Sequence, residues 1–394
     1  MSKAPDTADE AVLRALAAAE AALRGATGAL LILAAPRRLS DPERRNLALR
    51  VTMRGGSGER TIIVKQSVPP PWEKPEAQAV SLDRLGPLFL DAVAAGRGHA
   101  PAVLASADRL IVLEDLGDGP TLVEPLLRGS AGEAEAALLA LARRLGRLHA
   151  DTVGLRARFD ALQTSLWPGS ELRIRRFFER VDTVLDSIEQ RLPDVRFPRE
   201  ECAAVAAALA DPGPFLAYTH GDPCPDNVFL VNGEARLIDF EHGRFGHALI
   251  DGVYVRMAFP TCWCAGRSPD DVVARCEAAY RAELARRVPP AADDAIYFRA
   301  LTEAAAAWLI ARLDWLLPSA LDGPSLWGIS DGRARLLNDL DVFAALAERS
   351  GALPAFRDFA GALRRDLERR WPETTPLALY PAFRAKAASG APST

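Results

Sequence analysis

The sequence predicts an α+β protein in which a small, antiparallel, sheet-rich lobe precedes a larger, mainly helical lobe. Three observations support this class. With 394 residues the chain is long for a single core, so two lobes are expected. Segments typical of strands are concentrated between about residues 28 and 116, and helical periodicity dominates the rest of the chain. An apolar fraction of 49% and a charged fraction of 25% are those of a folded globular protein.

The first lobe begins with an Ala-rich helical segment and continues with four segments that resemble strands. These are GALLILAA (28–35), NLALRVTM (46–53), TIIVK (61–65) and RLIVLEDL (109–116). The glycine-rich RGGSGER (54–60) predicts a hairpin turn between the second and the third. In TIIVK, Lys65 shares a face with Ile63, and a lone lysine in such a place usually keeps its ammonium in water.

The second lobe is predicted to be helical from the spacing of its apolar residues. In GEAEAALLALARRLGRLHA (132–150), leucines three or four apart form one stripe: Leu138, Leu141, Leu145 and Leu148. From Asp293 to Leu317, one face carries large apolar residues that we interpret as core: Tyr297, Leu301, Trp308 and Trp315. Further helices are expected at about 333–350 and 354–371.

The segment EDLGDGP (114–120) is the natural joint between the lobes, because it is rich in turn-forming residues. We therefore expect an N-terminal lobe over 1–116 and a helical lobe over 117–385. The polar tail, residues 386–394, is expected to be disordered.

Charge and hydropathy exclude several classes of partner. A net charge of −4 and a pI near 5.9 give no electrostatic reason to bind nucleic acid. The N-terminus lacks the pattern of a secretion signal, and no apolar run is long enough to span a membrane, so a cytoplasmic protein without a membrane partner is expected. Five sparse cysteines fit reduced thiols, and CWC (262–264) is an incomplete zinc pattern that favours ordinary buried thiols.

The most unusual stretch is YTHGDPCPDN (218–227), which is followed by IDFEHG (238–243). Between them, Asn-Gly at 232–233 separates two apolar runs and predicts a hairpin. The hairpin would bring Asn227 close to Asp239, and two oxygen-bearing side chains suit Mg²⁺. Asp222, in the preceding loop, would lie within reach of an incoming hydroxyl.

HGDPCPDN and LIDFEHG resemble the catalytic loop and metal-binding segment of the aminoglycoside phosphotransferase and choline kinase superfamily. The resemblance implies a bilobal protein-kinase-like fold. It implies that Asp222 is the catalytic aspartate that orients the acceptor hydroxyl and can take its proton. It also implies that Asn227 and Asp239 bind Mg²⁺, that His220 braces the loop, and that Asp251 supports it.

Nucleotide contacts follow from the same resemblance. Lys65, on the third strand, is expected to hold the α- and β-phosphates of ATP or GTP. Its ion-pair partner is expected on the next helix, at Glu76, with Glu73 as the competitor.

The adenine site is expected at the backbone near Glu114, Asp115 and Leu116, which resemble the hinge of such kinases. The phosphate-covering loop (35–46) contains no glycine, so we expect backbone groups or Ser40 to contact phosphate there.

Together, these residues and the resemblance predict a Mg²⁺-dependent kinase of a small hydroxyl-bearing molecule. Glu241, where protein kinases have glycine, argues against a protein substrate. The acceptor stays open among aminoglycosides or other antibiotics, choline-like molecules, and sugar or amino-acid derivatives. A cationic acceptor could be drawn by acids on the later helices, or a quaternary ammonium by Trp308 or Trp315, although both features are commonly structural. The alternative is a kinase-like nucleotide-binding regulator without transfer activity.

Overall fold

A computed structural model describes residues 7–40, 46–55, 58–66, 82–166, 181–192 and 194–384 of the chain. These residues form two compact units. The first comprises Met1–Gly119, Leu155–Ile174 and Arg236–Arg244, and the second comprises Pro120–Gly154, Arg175–Ala235 and Phe245–Thr394. Of the segments that we expected in the helical lobe, the described residues 155–166 and 236–244 belong to the first unit. The predicted disordered tail lies outside the described residues.

The helices are defined by their bounds in chain order. They are α1 (Thr7–Thr27), α2 (Leu82–Ala94), α3 (Val123–Arg128), α4 (Ala131–Thr152), α5 (Arg156–Leu166), α6 (Val181–Arg191), α7 (Arg199–Ala210), α8 (Leu249–Gly252), α9 (Asp270–Ala285), α10 (Asp294–Trp315), α11 (Leu317–Asp322), α12 (Gly332–Ser350) and α13 (Pro354–Arg370). In the part of the chain that the structure describes, no helix combines the length and apolar character needed to cross a bilayer.

The strands are named in the same way. They are β1 (Ile32–Arg38), β2 (Leu47–Gly55), β3 (Gly58–Gln66), β4 (Val103–Ala107), β5 (Leu110–Glu114), β6 (Leu216–Thr219), β7 (Val228–Val231), β8 (Glu234–Leu237), β9 (Arg244–His247), β10 (Leu326–Trp327) and β11 (Ser330–Asp331). The first five form one antiparallel sheet in the order β1-β2-β3-β5-β4, which confirms the predicted sheet-rich lobe.

The sheet of the first unit is built from alternating burial. Val51 on β2 and Ile62 and Val64 on β3 point to the core, while their chain neighbours are less buried. Helix α1 packs into the same core with Ala15 and Ala19, whose small side chains allow close approach. Strand β4 was not predicted, because its sequence VLASA contains small residues with little strand preference.

The main helices of the second unit follow the predicted pattern in part. Helix α4 begins with a capping box between Ser130 and Glu133, and its leucine stripe is buried. Helix α10 is capped by Asp293. The interpretation of its apolar face as core is wrong at the C-terminal end, where Trp315 is 43% exposed. The helix ends at this residue. The adjacent Leu313 and Leu316 are buried, whereas Trp315 contacts Trp327 edge to face.

The predicted hairpin is present. Strands β7 and β8 pair, and Asn232 and Gly233 between them have φ of 53° and 79°. Two consecutive positive φ values are typical of the tight turns that join twisted antiparallel strands, which explains why Asn-Gly occurs here.

Candidate active site

Lys65 lies at the centre of an ion-pair cluster in the first unit. On β3 it faces Ala48 of β2 and Ile111 of β5, so the strand is held on both sides. Its Nζ is 2.6 Å from Asp83 Oδ2 and 2.7 Å from Asp239 Oδ1. The lysine is not the water-exposed residue that the strand pattern alone suggested, since 17% of its side chain is exposed.

Asp83 is the partner of Lys65 that sequence reasoning missed. It lies in the first turn of α2, where a carboxylate is also favoured by the helix dipole, and it is buried. It accepts a hydrogen bond from the backbone amide of Phe240, so it also fixes the segment that carries Asp239. The predicted partners Glu76 and Glu73 lie outside the described residues, and that prediction stays open.

Asp239 has a strained backbone. Its φ is 64°, a left-handed conformation that residues other than glycine rarely adopt, and strain of this kind is found mainly at functional sites. The Lys65 bond orients one carboxylate oxygen, and 30% of the Asp239 side chain remains exposed.

The ammonium of Lys65 is held in its charged form. Burial by itself lowers the pKa of Lys65, but the negative charges of Asp83 and Asp239 outweigh this effect and raise the pKa above its ordinary value. The cluster therefore places a permanent positive charge beside Asp239.

The hinge segment is tied to the sheet by its side chains. Asp115 accepts from Arg50 Nη2 at 2.9 Å and from the amide of Gly117 at 2.9 Å, and Arg50 Nε lies 2.8 Å from Asp115 Oδ2 as part of the same ion pair. Glu114 accepts from Arg236 at 2.9 Å. Both carboxylates are already paired with arginines of the same unit, which leaves the backbone groups of 114–116 for a contact with adenine. That Glu114, Asp115 and Leu116 bind adenine stays a prediction.

Ser40 lies just after the end of β1 and is held by two hydrogen bonds. Its hydroxyl accepts from the amide of Ala48 at 3.2 Å and from Arg38 Nε at 3.3 Å. These bonds are a structural role for Ser40, and a phosphate contact there stays a prediction.

In the second unit, Asp251 holds the loop that begins YTHGD. Its buried carboxylate accepts from the backbone amides of His220 at 2.6 Å and Gly221 at 3.0 Å. His149 Nε2 lies 3.3 Å from the same carboxylate. The predicted support by Asp251 is thus confirmed. His220 also braces the loop as predicted, because its Nδ1 accepts from the amide of Asp222 at 3.3 Å.

The carboxylate of Asp222 is oriented through one oxygen. Oδ1 accepts from the hydroxyl of Thr261 and from the thiol of Cys224, at 2.9 Å in the second case. The Tyr254 hydroxyl lies 3.5 Å from Oδ1 and donates to the carbonyl of Gly221 at 3.2 Å. Burial raises the pKa of Tyr254 well above its ordinary value, so it remains a donor.

The second oxygen of Asp222 is more open. Among the described residues, Oδ2 has a contact with Asn227 Nδ2 at 3.4 Å, which is long for a hydrogen bond. Asn227 Nδ2 also donates to the backbone carbonyl of Asp222 at 3.1 Å. Because the amide nitrogen is directed to Asp222, the amide oxygen of Asn227 is directed away from it.

Sequence reasoning missed the contacts that Thr261, Tyr254 and Cys224 make with the Asp222 carboxylate. These residues follow Asp222 in the chain by 39, 32 and 2 positions, and the first two carry no pattern that marks them. The fold brings Thr261 and Tyr254 to Asp222, whereas Cys224 is close to it in the chain.

The acids considered for a cationic acceptor are mostly engaged with nearby arginines. Asp271 pairs with Arg275, Asp294 with Arg281, and Glu303 with Arg299. Each of these acids pairs with a different arginine, so they do not form a single negatively charged cluster.

The two tryptophans also differ from each other. Trp308 is half-buried, and its Nε1 donates to the carbonyl of Ile250 at 3.0 Å. The guanidinium of Arg312 already lies 4.7 Å from the ring centre of Trp315. A cation bound on this ring would therefore meet a positive charge across it.

Comparisons with known proteins decide the family. The sequence profile of the phosphotransferase enzyme family matches residues 46–287, more than half of the chain. The chain belongs to this family. It is therefore a phosphotransferase of the small-molecule kind, and the family supports the kinase-like fold predicted from HGDPCPDN and LIDFEHG.

Solved structures with a similar overall course were also found. A choline kinase from Cryptosporidium parvum Iowa II is 13% identical with a TM-score of 0.45, over 84% of this chain and 93% of that one. The streptomycin–ATP complex of APH(2")-IIa is 14% identical with a TM-score of 0.45, over 87% and 99%. Amicoumacin kinase hAmiN is 13% identical with a TM-score of 0.43, over 88% and 90%. No curated protein matches the chain.

Proposed function

We propose that this phosphotransferase moves the γ-phosphoryl group of ATP or GTP to a hydroxyl of a small molecule. The observation that carries the proposal is the oriented carboxylate of Asp222, in a loop whose amides are fixed by the buried Asp251. A catalytic carboxylate needs this kind of support, because misplacement of a reacting group by about 1 Å can cost about a hundredfold in rate.

Asp222 has the arrangement of a base that acts through one oxygen. With Oδ1 bonded to Thr261 and Cys224, the acceptor hydroxyl would donate to Oδ2. As the hydroxyl oxygen bonds to the γ-phosphorus, the bond from that phosphorus to the β–γ bridging oxygen breaks, and the hydroxyl proton passes to Oδ2. Orientation of the hydroxyl is the larger part of this role, since such transfers are catalysed mainly by positioning.

Asn227 and Asp239 fit the requirements of Mg²⁺ ligands. Each offers a hard oxygen: the amide oxygen of Asn227, whose nitrogen is engaged with Asp222, and the carboxylate of Asp239 in its strained conformation. When bound, Mg²⁺ would neutralise the phosphate charge that develops during transfer.

Lys65 is proposed to bind the α- and β-phosphates. Its raised pKa keeps it cationic, and Asp83 holds its ammonium in place. Nucleotide phosphates would replace Asp239 as a partner of Lys65, and the Asp239 carboxylate would then be available to the metal. The buried pair of Lys65 with Asp83 would persist. The backbone at 114–116 is proposed to take the base, with the Arg50–Asp115 bonds fixing that segment.

The test is a screen for acceptor-dependent nucleotide consumption. Purified protein with Mg²⁺ and either ATP or GTP is incubated with aminoglycosides, macrolides, choline, homoserine and sugars. The predicted result is nucleoside diphosphate release that depends on one class of acceptor, together with an acceptor whose mass rises by one phosphoryl group. Nucleotide binding that depends on Mg²⁺ without turnover of any acceptor would favour the regulatory alternative.

A further inference from the structure

Three buried thiols and a carboxylate meet beside the catalytic loop of the second unit. Cys224 lies in that loop, and Cys262 and Cys264 come from the segment after Pro260. Ligand atoms of Cys224, Asp226 and Cys262 all lie within 4.8 Å of one another. Cys262 Sγ is 3.0 Å from Cys264 Sγ and 4.0 Å from Asp226 Oδ1. We call these four residues the thiol cluster.

The backbone that presents Cys262 and Cys264 is rigidly held. The buried Arg335 donates to the carbonyls of Cys262 at 2.8 Å and Trp263 at 3.2 Å. Ala258 and Phe259, just before this segment, both have positive φ, 53° and 57°. Two strained residues in succession and a buried guanidinium fix the direction of the thiols without the help of a disulfide.

Asp226 is aimed at the thiols by its neighbour. Trp263 Nε1 donates to Asp226 Oδ2 at 3.2 Å, which leaves Oδ1 on the side of Cys262. Support of this kind, in which a ligand's second atom is hydrogen-bonded, is typical of metal sites.

The spacing of the ligand atoms suits a tetrahedral soft-metal site. With Zn–S bonds of about 2.3 Å, two sulfur ligands of such a site lie about 3.8 Å apart. Cys262 Sγ and Cys264 Sγ are 3.0 Å apart, and the ligand atoms of Cys224, Asp226 and Cys262 are at most 4.8 Å apart, so side-chain shifts of about 1 Å would close a site. The ligand set is three sulfurs and one oxygen, which favours zinc over Mg²⁺ because thiolates are soft ligands.

We propose that the thiol cluster binds one thiophilic divalent cation of the zinc type, through Cys224, Cys262, Asp226 and Cys264. None of its four ligands is a proposed Mg²⁺ ligand. It acts on the catalytic loop directly, because the thiol proton that Cys224 donates to Asp222 Oδ1 is lost when the sulfur binds metal. Occupancy would thus change how the Asp222 carboxylate is held.

Cobalt(II) spectroscopy tests the proposal without any need for turnover. The full chain is reduced, stripped with a chelator and titrated with Co²⁺, and zinc is then added. We expect saturation at one Co²⁺ per chain, a thiolate-to-cobalt charge-transfer band, the visible bands of tetrahedral cobalt, and displacement of all of them by zinc. Absence of the charge-transfer band, or a disulfide formed in the cluster in place of metal uptake, would overturn the proposal.

Matched variants separate the cluster from the other thiols. Cys262→Ser should abolish the charge-transfer band, whereas Cys276→Ser, a buried cysteine in α9 outside the cluster, should retain it. Asp226→Asn should weaken zinc affinity and keep the band, and it serves as the decisive variant if Cys262→Ser does not fold. Three results would contradict the site. The band could survive Cys262→Ser, or it could be lost in Cys276→Ser. The third is a zinc affinity that Asp226→Asn leaves unchanged.

Discussion

Replacement of Asp251 by alanine is expected to destabilise the second unit strongly. The buried carboxylate accepts from two backbone amides, those of His220 at 2.6 Å and Gly221 at 3.0 Å. Hydrogen bonds to a charged group are worth about 1.5–3 kcal/mol each, so Asp251→Ala should lower the free energy of unfolding by about 3–6 kcal/mol. Asp251→Asn keeps one acceptor oxygen and should cost about half as much.

Urea unfolding followed by tryptophan fluorescence measures this loss. The signal reports mainly on the second unit, which holds Trp263, Trp308, Trp315, Trp327 and Trp371. Asp358→Ala is the matched control, since this aspartate on α13 is 72% exposed and pairs with Arg357 at the surface. Its effect should stay within about 0.5 kcal/mol. Equal effects of Asp251→Ala and Asp358→Ala would refute the anchoring role.

Three further outcomes are expected. Asp239→Ala should weaken Mg²⁺-dependent nucleotide binding, since it removes a proposed oxygen ligand; calorimetric titration with Mg²⁺ checks this, and an unchanged affinity speaks against the ligand. Lys65→Met should cost about 3–5 kcal/mol in urea unfolding, because the buried Asp83 carboxylate loses its cation. Addition of Asp83→Asn should recover part of that loss, and no recovery would count against the ion pair. Burial and the charge of His149 lower the pKa of His247 from 6.5 to about 4. At a pH between these two values, the unfolded chain therefore binds more protons than the folded chain. The free energy of unfolding should therefore fall by about 2 kcal/mol from pH 7 to 5, and His247→Leu should flatten that slope.

Local patterns predicted the parts of the fold that local physics decides. The leucine stripe of α4 and the turn at Asn232–Gly233 depend on residues within a few positions of one another. The placement of Lys65 on β3 followed from alternation along a single strand. The exposure of Trp315 could not be predicted in this way, since periodicity specifies a face of α10 but not which other elements cover each residue of that face.

The same distinction between local patterns and long-range packing applies to the candidate site. Asp222, Asn227 and Asp239 could be proposed as site residues because the spacing of YTHGDPCPDN and IDFEHG is itself a signal. Asp83 and Thr261 were missed, because they contact Lys65 and Asp222 only after helix and loop packing bring distant segments together. Asp83 had one local signal, an acid in the first turn of an apolar helix, but many surface helices share it.

The most direct test of the account compares phosphoryl transfer and nucleotide affinity in Asp222→Ala and the unaltered chain, with the acceptor that the screen identifies. Because Asp222 is proposed to act on the acceptor hydroxyl and not on the nucleotide, transfer should be abolished while nucleotide affinity stays nearly the same. Full transfer by Asp222→Ala would contradict the central claim.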